Sequence, residues 1–134
     1  MEKITINIGK TESNYAANVE GLDGFVCTAP TLEELKKEVV EGINFHIEGL
    51  RNHSCSVPEV FQGAYELEYK WSVEGLMWYY NHVITRSALA KLTGINERQL
   101  GHYAMGKSKP RPEQIKKIEA ALHQLGKELL AVSL

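Results

Sequence analysis

The sequence predicts an α+β chain in two parts, a small ββ(β)αβ domain over residues 1–71 and an all-α domain of four or five helices over residues 72–134. Three observations carry this prediction. The hydrophobic period changes at Trp71 from two to between three and four, the change from pleated strand to helix. The charge changes at the same place: residues 1–70 hold 6 Lys+Arg against 12 Asp+Glu, net −6, and residues 71–134 hold 9 against 5, net +4. Turn and cap residues also fall between the periodic runs, where elements must start and stop. Such an asymmetry implies different partners for the two halves, phosphate for the basic one and a basic surface for the acidic one.

In the acidic half, Ile4-Thr5-Ile6-Asn7-Ile8 alternates strictly, and Tyr15 to Val19 returns as its hairpin partner after a polar stretch. Gly21-Leu22-Asp23-Gly24 reads as a turn and Phe25 to Thr28 as a short third strand. A long helix then starts at Thr31, whose hydroxyl can cap the first turn while Glu34 reaches back to it. Leu32, Leu35, Val39, Ile43, Ile47 and Leu50 recur at spacings of three and four and lay one apolar stripe on the sheet; Glu33, Lys37, Glu41 and Glu48 face water. Residues 53–64 read as irregular. A fourth strand follows, with Tyr65, Leu67, Tyr69 and Trp71 on one face and Glu66, Glu68 and Lys70 on the other.

In the basic half, Val73, Leu76, Met77 and Tyr80 mark a first helix, with Trp78 and Tyr79 read as core packing or, as the second choice, a dimer or interdomain contact. Thr85 caps a second helix that carries Leu89, Ala90 and Leu92 and is stopped by Gly94, a residue suited to the left-handed conformation. Asn96 caps a third, Gln99 at its third position completes a capping box, and Leu100 and Tyr103 face inward. Pro112 suits the first turn of a fourth helix with Ile115, Ile118, Leu122 and Leu125 on its buried side, and Lys127 to Leu134 offer a short fifth.

Residues 101–108, GHYAMGKS, match the phosphate-cradling pattern G-x-x-x-x-G-K-[ST] letter for letter. A P-loop needs a strand running into the first Gly and a helix starting at the Lys-Ser pair. Here a capped helix precedes Gly101, and Lys-Pro-Arg-Pro after Ser108 blocks a helix start. The stretch therefore reads as the second half of a helix, a terminating Gly and a basic loop.

Short helix, Gly-containing turn and capped second helix form a helix-turn-helix pattern. Residues 85–111, TRSALAKLTGINERQLGHYAMGKSKPR, closely resemble the repressor-type family that includes the phage lambda and Cro repressors, through L-A-x-x-x-G-[IV], a polar helix and G-[KR]-x-x-P. This implies a DNA reading helix with Glu97, Arg98, Gln99 and His102 toward the bases. Thr85, Arg86, Ser87, Asn96, Lys107, Lys109 and Arg111 then lie toward the phosphates. Many members carry Gln where Arg86 and Glu97 stand, so the family's base preference is not transferred.

The acidic half is also similar to a known family. Gly21-Leu22-Asp23-Gly24-Phe25 after a Tyr-led strand, then Thr31-Leu32-Glu33-Glu34-Leu35, resemble the HicB antitoxins. That resemblance implies a partial ribonuclease-H-like ββ(β)αβ fold, neutralisation of a small basic ribonuclease toxin of HicA type, and repression of the operon encoding both. Contact residues expected for the toxin are Asn18, Glu20 and Asp23, or Glu66 and Glu68. The second reading is a repressor whose acidic domain senses a small ligand.

Composition narrows the remaining classes. With 43% hydrophobic and 24% charged residues over 134 positions, the chain has the make-up of an ordinary soluble domain. No apolar run approaches the roughly 18 residues of a membrane span, and MEKITINIGK lacks a signal-peptide core, so a cytoplasmic location without membrane partner is expected. Cys27 and Cys55 read as free thiols. No enzyme, cofactor or metal is expected: the first strand lacks the carboxylates of a two-metal nuclease, and His46, His53 and Cys55 lack paired ligand spacing. One reading helix covers half of a typical operator, so at least a homodimer on double-stranded DNA is expected.

Overall fold

The computed structural model describes residues 1–134, which divide into two compact units, Met1–Gly75 and Leu76–Leu134. The division falls a few residues beyond the expected boundary at Trp71. Four strands, β1 (Glu2–Lys10), β2 (Tyr15–Val19), β3 (Val26–Ala29) and β4 (Tyr65–Trp71), form one sheet in the order β3-β2-β1-β4. β1 pairs antiparallel with β2 and parallel with β4, and β2 pairs antiparallel with β3. The crossover from β3 to β4 is α1 (Leu32–Asn52), so the element order is the ββ(β)αβ the periodicity predicts.

Side-chain alternation decides which face α1 covers. Ile4, Ile6 and Ile8 of β1, Ala17 and Val19 of β2, and Leu35, Val39, Ile43 and Ile47 of α1 are all buried in one core. Thr31 starts α1 as expected, its hydroxyl accepting from the Glu34 amide at 3.1 Å. α1 ends less predictably, because Ser54 takes the left-handed conformation at φ 55°, with the Cys55 amide donating to the Leu50 carbonyl and the Ser54 amide to that of Arg51. The stretch read as irregular contains one tight helical turn, Glu59–Phe61, which buries Phe61 edge-on against Tyr65 at 5.4 Å. Burial pushes the Cys27 thiol above its ordinary pKa and nearby Glu38 adds to the effect, which keeps it a thiol at neutral pH. His46 packs edge-on against Phe25 while Cys55 donates to the His53 carbonyl, and no three His, Cys, Asp or Glu residues stand together as a metal site.

After β4 the Ser72 hydroxyl accepts from the Gly75 amide at 3.0 Å and starts α2 (Val73–Tyr79). The rest of the helical unit is α3 (Arg86–Thr93), α4 (Glu97–Ala104) and α5 (Pro112–Leu130) around Leu89, Ile95, Leu100, Tyr103 and Ile118. Several inward assignments need correction. Ile115 and Leu92 are 42% and 44% exposed: one lies in the first turn of α5 and the other on a two-turn helix whose buried strip is narrow. Trp78 and Tyr79 keep 45% and 40% of their surface exposed, too much for core packing. The expected short fifth helix is the end of α5, which runs unbroken through Gly126. No helix is long and apolar enough to cross a membrane.

Candidate nucleic-acid interface

α3 packs against both α4 and α5, and four local devices start it and hold its turn to α4. Thr85 caps α3 by accepting from the Ala88 amide at 3.0 Å. Gly94 ends it at φ 76°, a left-handed position that costs a side-chain-bearing residue about 1 kcal/mol. The Thr93 hydroxyl then donates to the Leu89 carbonyl at 2.7 Å and accepts from the Ile95 amide at 3.1 Å, which delivers Ile95 into the core. Asn96 accepts from the Arg98 amide at 2.8 Å and α4 begins.

With Leu100 and Tyr103 buried, α4 leaves Glu97 and Arg98 exposed in its first turn. Gln99 does not complete the expected capping box. Its amide donates to the Ser108 hydroxyl at 3.2 Å, and both residues are half-buried, so Gln99 ties α4 to the loop behind it. His102, one turn on, is half-buried as well. Glu97 and Arg98 are therefore the exposed members of the expected base-reading set.

The basic loop is anchored at both ends. Gly106, at φ 71°, donates to the Tyr103 carbonyl and Lys107 to that of His102, the paired bonds of a Schellman ending. At the far end the Arg111 carbonyl accepts from the Gln114 and Ile115 amides, and Pro112 opens α5. Lys107, Lys109 and Arg111 project from this loop into solvent, and Thr85, Ser87 and Asn96 are exposed at the starts of α3 and α4. Arg86 shows a contact that spacing did not reveal: its Nη1 lies 3.2 Å from where a Cβ on Gly101 would stand. A bare glycine in the middle of α4 was the available signal, since it admits the guanidinium against the helix backbone.

The expected contact residues of the sheet unit are placed by strand register. Asn18 on β2, Glu20 just after its end, and Glu66 and Glu68 on β4 share the face that α1 leaves uncovered, with Asn7 between them donating to Asn18 at 2.9 Å and to Glu20 at 3.3 Å. Lys3 and Lys70 stand on the same face, opposite Glu66 and Asn7 in the ladder, so its charge is mixed. Asp23 lies apart from them, exposed in the turn between Gly21 and Gly24.

This arrangement defines a DNA-binding head: a short helix, a fixed turn and a second helix with polar side chains outward beside a basic loop. Residues 84–125 match the family model described as helix-turn-helix, and this segment is a helix-turn-helix domain of the lambda and Cro type. The protein is a sequence-specific DNA-binding transcriptional regulator. No curated protein and no solved structure matches the chain.

Proposed function

We propose that the chain is an antitoxin that represses its own operon and neutralises a small basic ribonuclease of HicA type. The observation that carries this reading is a repressor-type reading head joined to an acidic α/β unit whose sheet has one uncovered face. The resemblance of Gly21 to Phe25 and Thr31 to Leu35 to the HicB antitoxins supports the same reading. Glu97 and Arg98 address the bases first, with the half-buried Gln99 and His102 behind them on the same helix, and Thr85, Arg86, Ser87, Asn96, Lys107, Lys109 and Arg111 address the phosphates. The regulator acts as at least a dimer, on half-sites about one helical turn apart or a multiple of that. A basic ribonuclease must display positive surface to grip RNA, and an acidic unit associates with it quickly. Asn18, Glu20, Glu66 and Glu68 on the uncovered face, and Asp23 in the separate turn between Gly21 and Gly24, provide contacts.

In DNA binding, Arg98→Ala should weaken the specific site by about 1–3 kcal/mol and relax preference at one base pair, because an arginine fork reads a guanine edge in two bonds. Equal loss on operator and random DNA in a titration would rule out base reading by Arg98. For the antidote role, the product of the neighbouring gene should capture the full chain at low salt. The double reversal Glu66→Lys with Glu68→Lys should weaken that capture about tenfold, the scale of one to two kcal/mol at interface charges, while operator binding holds. A chain that binds its operator and does not bind that product sinks the antitoxin reading and keeps the regulator.

A further inference from the structure

The helical unit carries a solvent-open pocket of about 380 Å³ beside the first turn of α3. A dry apolar cavity of roughly 150 Å³ accommodates benzene. The larger volume here falls in the range of built ligand pockets, roughly 300–1,000 Å³, and suits about two fused rings. Its apolar wall comes from Met77 and Trp78 of α2, Ile84, and Leu122 of α5. The polar wall is different in kind, for it includes Arg86 and Glu97, both exposed residues.

We propose that this cavity binds a planar aromatic monocarboxylate of about two fused rings, with the ring among Met77, Trp78, Ile84 and Leu122 and the carboxylate on the Arg86 fork. A guanidinium presents paired donors that match a carboxylate, and Gly101 lets it lie close along α4 without a side chain in its way. Glu97 on the same wall opposes a second negative charge and selects monoanions over dianions. Occupation engages Arg86, and on the reading of Arg86 as a phosphate contact it competes with DNA. The ligand is then an inducer seated in the reading head itself.

Calorimetry on the full chain without DNA provides the test, with naphthoate as the probe. Naphthoate should bind saturably at one site and more tightly than benzoate or naphthalene dicarboxylate. Arg86→Ala should weaken it at least about tenfold, as expected for loss of a charge-assisted pair. Ala104→Leu, which narrows the cavity from α4, should weaken it too, with helicity by circular dichroism unchanged. No saturable binding at millimolar naphthoate, or binding that both substitutions leave intact, overturns the site. Operator and naphthoate should also weaken each other by the same factor, as linkage requires. Naphthoate binding lost with Arg86→Ala but without effect on operator affinity overturns the competition and the phosphate role of Arg86, and leaves the site standing.

Discussion

Leu100→Ala is expected to destabilise the helical unit by about 2–5 kcal/mol and to abolish operator binding at temperatures where the native protein still binds. Leu100 is fully buried on the inward face of α4, at 0% exposure, and truncation removes its transfer free energy and leaves a cavity that short helices close only in part. A small domain holds only about 5–15 kcal/mol in all, so this loss approaches the whole. The sheet unit has its own core, from Ile4 to Phe61, and should keep its unfolding transition. Urea denaturation followed by far-ultraviolet dichroism checks both statements, since one early and one unchanged transition should replace the native profile. A single transition shifted as a whole would show that the two units unfold together.

Neutralising Lys107, Lys109 and Arg111 together should lower affinity for every DNA sequence by roughly a hundredfold at moderate salt. Each phosphate contact releases condensed counterions, and the logarithm of the binding constant falls with the logarithm of salt by about 0.9 per contact on duplex DNA. Removing three contacts should therefore flatten that slope by about 2.7 while the preference for operator over random DNA stays the same. Lys107, Lys109 and Arg111 are exposed and the bonds that anchor the loop are made by main-chain groups and by the pair Gln99 and Ser108, so fold and stability should be little changed. Fluorescence titrations across a salt series on both DNAs measure slope and preference together. An unchanged slope would remove the loop from the phosphate backbone.

The elements themselves were legible because each is written in a local code. Alternation in Ile4 to Ile8 and Tyr65 to Trp71, the α1 stripe, and the caps Thr31, Thr85 and Asn96 all rest on spacings of four residues or fewer and survive in the structure. What escaped depends on partners far along the chain. Gln99 has the right spacing for a capping box, but Ser108 offers its amide another acceptor and the box is not closed. Leu92 and Ile115 fit their stripes by period, yet exposure is set by what faces them, which period does not record. Ser54 ends α1 in a conformation that glycine normally supplies, so the boundary carried no punctuation. The uncovered sheet face was foreshadowed by Glu66 and Glu68, but joining them to Asn18 and Glu20 required the strand order β3-β2-β1-β4.

The anchoring of the basic loop has a thermodynamic consequence. Most basic arms that reach phosphates are disordered when free, and their ordering on DNA subtracts about 1–2 kcal/mol per residue from the affinity they bring. Between the Schellman ending at Gly106 and the Arg111 carbonyl that starts α5, the chain has little backbone freedom left to lose. Docking of this loop should therefore resemble the meeting of two rigid bodies. Its entropy should be dominated by released ions, and its heat-capacity change should be no larger than the area of the interface accounts for.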